Sequence, residues 1–171
     1  MKEIFDRVSV RKYEDRPVEQ EKIERLLRAA MAAPSAGNQQ PWAFCVVRDR
    51  AVIDALAATS PYAKPVLGAP LCIAVLCRQS GLRFPEYWEQ DLGASTQNLL
   101  LEAEHLGLGA VWMGIAPLPE RMEGVKRVLE LGDEYKAFAL VAVGYPAERQ
   151  PKHDRYDPAR VLWKCTQIPC K

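Results

Sequence analysis

Seven consecutive apolar residues, at positions 71–77, stand near the middle of this 171-residue chain and restrict its architecture. Gly68 and Pro70 come just before the run and mark the start of a new element. A strand with one face in water alternates apolar and polar side chains, whereas a strand covered on both faces is apolar throughout. We therefore predict a central strand whose sheet is covered on both faces.

Helices and strands alternate along the rest of the chain. Apolar residues recur every three or four positions in residues 19–32 and 85–106, and Gly107 follows the second stretch as a glycine often follows a helix. The predicted helices are residues 19–32, 49–58, 85–106 and a segment that Pro117 and Pro119 open and that ends near residue 131. The predicted strands are residues 42–47, 71–77, 109–113 and 138–143.

Length, charge and apolar content exclude several classes of protein. The chain has the size of one domain, and 49% of its residues are apolar, so we predict a single domain over residues 1–171. The formal net charge of +1 provides no general attraction for nucleic acid or for an anionic membrane. Residues 1–7 resemble no signal peptide and no apolar run is long enough to cross a bilayer, so we expect a cytoplasmic protein.

The cysteines and histidines do not form a recognisable metal site. Three of the five cysteines lie in apolar, strand-like runs and are interpreted as core thiols, namely Cys45, Cys72 and Cys77. A disulfide or metal ligation by Cys165 and Cys170 stays open, but no second ligand cluster accompanies them. We predict no metal, so any redox chemistry must come from a bound organic group.

Motifs for dinucleotides and phosphate loops are missing. The pair Gly107 and Gly109 follows a predicted helix and precedes a predicted strand, which is the reverse of the order in a Rossmann fold. The sequence also contains neither a Gly-Lys-Ser/Thr loop nor a serine nucleophile elbow. Anion binding must therefore use another arrangement.

Two arginines and a serine near the N-terminus form the first candidate binding segment. Arg7, Ser9 and Arg11 are spaced two residues apart, so in an extended segment their side chains project to the same side. Guanidinium and hydroxyl groups can bind a phosphate or polarise a carbonyl. A basic edge exposed to solvent is the alternative, and the segment alone does not decide between them.

A polar loop between two predicted buried elements is the second candidate. Residues 34–41 begin and end with proline and carry the amide and hydroxyl groups of Ser35, Asn38, Gln39 and Gln40. Such groups are suited to hydrogen-bonding the polar rim of a flat heterocycle. An ordinary connection between a helix and a strand is the alternative.

Together with three later motifs, these two segments resemble the flavin-dependent nitroreductase family. The later motifs are residues 109–114, 143–146 and 152–156, in the order found in that family, so the resemblance covers nearly the whole chain. It implies an α+β fold of three layers, α/β/α, in which helices flank a central mixed, mainly antiparallel sheet. It also implies an intertwined homodimer.

The resemblance assigns residues to the cofactor FMN. Arg7 and Ser9, with Val8 between them, would bind the phosphate together with Lys152 and Arg155 from the other end of the chain. Arg11 would lie beside N1 and O2 of the flavin, where negative charge collects on reduction. Residues 112–114 (Trp112, Met113 and Gly114) would lie against the ring, and the partner subunit would contribute Pro34, Ser35, Ala36 and Asn38.

The same resemblance implies how two chains associate. The long helix carries the small residues Gly93, Ala94 and Ser95, which fit a dimer core, although burial within one chain is the alternative. Residues 157–171, with Val161, Leu162 and Trp163, resemble a C-terminal arm that crosses to the partner.

The implied reaction is a two-step transfer in which NADH or NADPH reduces FMN and a small-molecule acceptor then takes the electrons. A nitroaromatic, a quinone or an activated alkene could be the acceptor. No side chain is required as a catalyst because the cofactor performs the chemistry. An FMN-binding flavoprotein that is a carrier, or that a protein partner reduces, is the alternative.

Two departures from the family pattern affect substrate and cofactor contacts. Residues 61–65 contain no asparagine where the family often places one near the flavin pyrimidine. Residues 78–85 are short where larger members insert a lid. The acceptor is therefore poorly specified.

Overall fold

The structure, a computed structural model, describes residues 2–148 and 150–164. Four strands form one sheet in the order β1-β2-β4-β3, and each neighbouring pair is antiparallel. The strands are β1 (Trp42–Val47), β2 (Leu71–Arg78), β3 (Gly109–Gly114) and β4 (Tyr135–Gly144). An isolated parallel bridge joins Ser9 to Ala110 of β3. The mixed, mainly antiparallel sheet that the resemblance implied is confirmed.

Two of the described helices precede β1, and three more lie in the segments between successive strands. They are α1 (Glu3–Asp6), α2 (Gln20–Met31), α3 (Arg50–Ala57), α4 (Trp88–His105) and α5 (Pro119–Val128). The predicted helix over residues 85–106 begins with a 3₁₀ turn at Pro85–Tyr87, so its α-helical part starts three residues later than expected. The short α1 was not predicted, because four residues are too few to display a helical period.

Alternate residues of β2 enter two separate hydrophobic clusters. Leu71, Ile73 and Val75 pack with side chains of α2 and α4 on one face, while Cys72, Ala74 and Leu76 pack with side chains of α3 and α5 on the other. Every residue from 71 to 77 is at most 3% exposed. The three-layer α/β/α arrangement is therefore confirmed, and it explains why this strand carries no polar residue.

The end of α4 fixes the start of β3. Gly107 adopts φ +72°, and the Leu108 N–H donates to the Ala103 carbonyl over 2.8 Å, which closes the helix. β3 begins two residues after this turn. The sequence feature that resembled a dinucleotide motif is thus a helix C-terminus.

The cysteines of β2, Cys72 and Cys77, are buried, whereas Cys45 of β1 is half-buried against the core. Burial raises the pKa of Cys72 to about 12 and that of Cys77 to about 11, so both stay protonated. Cys165 and Cys170 lie outside the described residues. Within residues 2–148 and 150–164, no helix combines the length and apolar character that crossing a bilayer requires.

Candidate functional site

The segment that carries Arg7, Ser9 and Arg11 runs alongside β3. The Val10 N–H donates to the Ala110 carbonyl over 3.1 Å, next to the bridge between Ser9 and Ala110. A Cβ at Gly109 would lie 2.6 Å from the Val10 Cβ, so this approach requires glycine. The sequence motif that begins at Gly109 therefore fixes the N-terminal segment against the sheet.

The residues after β4 hold the other side of the same segment. The Tyr13 hydroxyl lies 2.6 Å from the Val10 carbonyl and 3.2 Å from the Ala142 carbonyl, and its burial raises the pKa of the phenol well above its usual range. Tyr13 also forms an antiparallel bridge with Pro146. The bridge to Pro146 gives the motif over residues 143–146 a role in holding this segment.

One concavity, which we call the basic concavity, brings the two ends of the chain together. It has a volume of about 460 Å³ and includes Arg7, Val8, Lys152 and Arg155 in its lining. Lys152 Nζ lies 2.6 Å from Asp6 Oδ1, and this ion pair fastens the C-terminal segment to α1. In the part of the chain that the structure describes, Arg7 and Arg155 form no ion pair, so both remain free to bind an anion.

A second concavity, which we call the strand-end concavity, lies at the end of β3. It has a volume of about 530 Å³, and its lining contains Arg11 and residues 112–114. The lining also contains Arg121, whose guanidinium carbon lies 5.3 Å from the Tyr62 ring centroid. Among the residues that the structure describes, no aspartate or glutamate belongs to this lining, so its electrostatic potential favours an anionic edge.

Arg7 and Arg11 thus line different concavities, and Ser9, between them, lines neither. Sequence analysis missed Arg121 and Tyr62. The available signal for Tyr62 was its place in the segment where the family asparagine was expected. Arg121 carried no such signal, because its position depends on how α5 packs after Pro117.

The polar loop has an unusual backbone. Gly37 and Asn38 have φ +55° and Gln40 has φ +49°, which is the left-handed region. Ser35 Oγ accepts a hydrogen bond from the Gln40 N–H over 3.0 Å, and Asn38 Oδ1 accepts from Gln40 Nε2 over 3.0 Å. Pro34, Gly37 and Asn38 are exposed, whereas Ser35 and Ala36 are half-buried. No residue of the loop belongs to the lining of either concavity of its own chain.

A carboxylate that sequence analysis did not single out lies beneath this loop. Asp91, near the start of α4, is 5% exposed and accepts hydrogen bonds from the Ala36 N–H over 2.9 Å and from Gln39 Nε2 over 2.7 Å. An aspartate in a helix with an apolar face would ordinarily be assigned to the exposed side. Only the fold of the loop shows why it is buried.

The structure of the single chain bears on two features that were assigned to the dimer, the small residues of α4 and the C-terminal segment. Gly93 faces the Trp112 ring, which a Cβ at Gly93 would meet at 3.8 Å, so this small residue packs against its own β3. In the C-terminal segment, Leu162 is 90% exposed and Trp163 is 72% exposed. Their own chain does not cover these apolar side chains, as expected for an arm that a partner would cover.

Comparison with known proteins identifies relatives over almost the full length. The sequence profile of the nitroreductase family matches residues 4–145. A protein of Methanothermobacter thermautotrophicus, provisionally named an NADH dehydrogenase/NAD(P)H nitroreductase, is 42% identical over 92% of this chain and 83% of its own length.

Two solved structures share the fold. A protein of Clostridium acetobutylicum, provisionally named an NADH oxidase, superposes with a TM-score of 0.92 at 45% identity and covers 96% of this chain and 99% of its own. A provisionally assigned nitroreductase of Desulfovibrio desulfuricans, solved in complex with FMN, has a TM-score of 0.84 at 32% identity and covers 96% of both chains.

Proposed function

This chain belongs to the nitroreductase family, and from that premise we propose that it is an FMN-dependent oxidoreductase. It takes electrons from NADH or NADPH and passes them to a small organic acceptor. The observation that carries the proposal is the convergence of Arg7 with Lys152 and Arg155 in the basic concavity, while a second concavity holds Arg11 and the end of β3. One concavity suits a phosphate and the other suits a planar ring with an electron-rich edge.

The basic concavity is the proposed phosphate site. Arg7 and Arg155 provide guanidinium groups that match phosphate oxygens, and each charge-assisted hydrogen bond contributes about 1.5–3 kcal/mol. Lys152 adds positive charge while it stays paired with Asp6. Asp154 lies in the same lining, but its carboxylate accepts the Tyr156 N–H over 2.9 Å, which keeps it within its own segment.

The strand-end concavity is the proposed flavin-ring site. FMN supplies the hydride chemistry when bound, and the protein binds it, orients it and sets its electrostatic environment. Residues 112–114 provide a surface fixed by strand pairing, because Trp112 pairs with Val141 and Gly114 with Ala139 of β4. Arg11 would stabilise negative charge on the pyrimidine part of the reduced ring.

A second copy of the chain completes the proposed site. The loop at residues 34–38 is assigned to the flavin of the partner subunit, and residues 157–171 are assigned to an arm that crosses to the partner. The exposed Pro34 and Asn38 of the polar loop and the exposed Leu162 and Trp163 support this homodimer. We therefore assign Pro34, Ser35, Ala36 and Asn38 to the FMN site of the partner subunit. The other predicted residues are assigned to the FMN site of the chain that carries them.

Anaerobic stopped-flow reduction tests the enzymatic proposal. The purified protein loaded with FMN is mixed with NADH or NADPH, and the absorbance of the oxidised flavin at about 450 nm is followed. We expect rapid bleaching with at least one nucleotide and recovery of colour when a quinone or nitroaromatic is added. A flavin that stays oxidised with both nucleotides would contradict the enzyme and favour a carrier or a protein-reduced flavoprotein.

A further inference from the structure

Asp91 is a buried carboxylate, and within the described residues its hydrogen-bond donors all belong to the polar loop. Its two oxygens accept from the Ala36 N–H and from Gln39 Nε2, and no ion pair neutralises it in the described part of the chain. A buried carboxylate without a countercharge is costly unless hydrogen bonds stabilise it. The two hydrogen bonds from the loop therefore offset the cost of burying this carboxylate.

The amide of Gln39 makes the requirement for a carboxylate specific. Gln39 Nε2 donates one hydrogen to Asp91 Oδ2 and the other to the Phe84 carbonyl over 3.0 Å, while Gln39 Oε1 accepts from the Phe84 N–H over 2.9 Å. Every donor and acceptor of this amide is thus engaged, and the partner at position 91 must be an acceptor. A flipped Gln39 would lose both bonds to Phe84.

The Phe84 ring packs against the backbone of the same loop. A Cβ at Gly37 would come within 2.5 Å of Phe84 Cε2, so the ring lies directly on the backbone of the left-handed turn. Asp91 from α4 and Phe84 from the segment before it therefore hold residues 36–39 between them. Pro34 and Asn38 stay exposed in this arrangement, so a partner can reach them.

We propose that Asp91 is a positioning residue that holds the loop at residues 34–38 in the shape that completes the FMN site of the partner subunit. The inference rests on the proposed function, because it requires FMN and a loop that acts across the dimer. Without the carboxylate, three left-handed residues in a four-residue stretch would relax toward other conformations. The FMN affinity of the partner subunit's site would then fall.

Asp91→Asn tests the hydrogen-bond requirement. The asparagine amide has only one acceptor oxygen, so its NH2 group would face either Gln39 Nε2 or the Ala36 N–H, and one of the two hydrogen bonds would be lost. We expect the FMN dissociation constant, measured by quenching of flavin fluorescence, to rise by about tenfold or more. The matched control is Thr96→Val, which removes a buried 2.7 Å hydrogen bond to the Leu92 carbonyl on the same helix and leaves the loop contacts untouched.

Thermal denaturation of both variants separates positioning from general stability. We expect Thr96→Val to lower the melting temperature without changing the FMN dissociation constant. An Asp91→Asn protein that binds FMN as tightly as the unaltered protein overturns the inference. The inference is also overturned if Thr96→Val, at an equal loss of stability, raises the FMN dissociation constant as much as Asp91→Asn does.

Complementation between subunits tests whether the loop acts across the dimer. Differently tagged chains, one with Asp91→Asn and one with Arg7→Ala and Arg155→Ala, are produced together, and the doubly tagged dimer is isolated. In the proposed arrangement this dimer has one site with both defects and one site with none. We expect one tightly bound FMN per doubly tagged dimer, although each parent dimer binds weakly.

The outcomes distinguish this inference from the proposed function. A doubly tagged dimer without a tight site shows that Asp91 acts within its own subunit, and overturns the inference. Unaltered protein that fails to bind FMN overturns the proposed function instead. A chain that sedimentation shows to be monomeric removes the partner-subunit site and with it the inference.

Discussion

The strand-end and basic concavities are built in opposite ways. The first lies on the edge of the sheet, where Met113 is 4% exposed and strand pairing fixes residues 112–114. The second is formed by segments from the two chain ends, and its Lys152 and Arg155 are exposed. An ion pair between Lys152 and Asp6 joins the C-terminal segment to α1. An exposed ion pair contributes only about 0–1 kcal/mol, so the ligand itself must supply part of the order in the basic concavity.

The contrast separates two properties of the proposed cofactor site. The basic concavity should determine how tightly FMN binds, because its charges meet a phosphate. The strand-end concavity should determine how easily the flavin is reduced, because Arg11 meets the edge where negative charge collects. Substitutions in the two concavities should therefore have effects of different kinds.

The largest expected effect comes from removing both guanidiniums of the basic concavity. Arg7→Ala combined with Arg155→Ala deletes two charge-assisted contacts of about 1.5–3 kcal/mol each, so the FMN dissociation constant should rise by about 10²–10⁴-fold. Isothermal titration with FMN measures this change. A control with Arg48→Ala and Arg127→Ala, on surfaces away from both concavities, should bind FMN normally. Equal FMN affinity in the two double variants would contradict the assignment.

The contact between the N-terminal segment and β3 links the two concavities. Gly109→Ala places a methyl group against three atoms of Val10, and overpacking of this kind costs about 1–3 kcal/mol. Both the free energy of unfolding and the FMN affinity should fall. In a Val10→Gly background the obstructing atoms are gone, so the cost of Gly109→Ala should be much smaller. Urea denaturation of the four proteins gives the coupling, and additive effects would refute this contact.

Removing the cation from the strand-end concavity should change the redox potential more than the affinity. Arg11→Gln loses a contact worth about 1.5–3 kcal/mol to the reduced ring, so the two-electron midpoint potential should fall by roughly 30–60 mV. Xanthine-oxidase-coupled reduction against a reference dye measures it. A potential that does not change, or a large loss of FMN affinity with an unchanged potential of the flavin that stays bound, would place Arg11 outside the ring site.

The smallest expected effect concerns the anchor of the N-terminal segment. Tyr13→Phe removes the hydroxyl near the Val10 carbonyl and should lower the free energy of unfolding by about 1 kcal/mol at neutral pH. Because burial raises the pKa of Tyr13, its favourable contribution is present below the unfolded pKa of about 10 and is lost as the pH rises above that value. The variant should therefore lose stability less steeply in alkali. Chemical denaturation between neutral and alkaline pH measures both effects, and identical slopes would argue against a buried phenol.

The sheet and the longer helices could be predicted because each has a local signal. The apolar run at residues 71–77 specifies an internal strand, and Gly107 specifies the end of α4. The cofactor residues of the basic concavity required a resemblance, because Arg7 and Arg155 are far apart in sequence and approach each other only after the sheet has formed. No local pattern records such a distance.

Asp91 and Arg121 show what remained beyond sequence analysis. Asp91 has a buried position because Gln39 and the Ala36 N–H need an acceptor, and that need exists only once the loop is folded. Arg121 enters the strand-end concavity because of the way α5 packs after β3. Both depend on contacts between distant segments, which composition and periodicity do not encode.

The central claim, that residues from both chain ends bind the phosphate of FMN, is tested most directly by comparing FMN with riboflavin, which lacks the phosphate. Titration of the flavin-free protein should give an FMN dissociation constant about 100-fold or more below that of riboflavin, and Arg7→Ala with Arg155→Ala should remove most of that preference. Equal affinity for the two flavins in the unaltered protein, or a preference that survives in the double variant, would contradict the account.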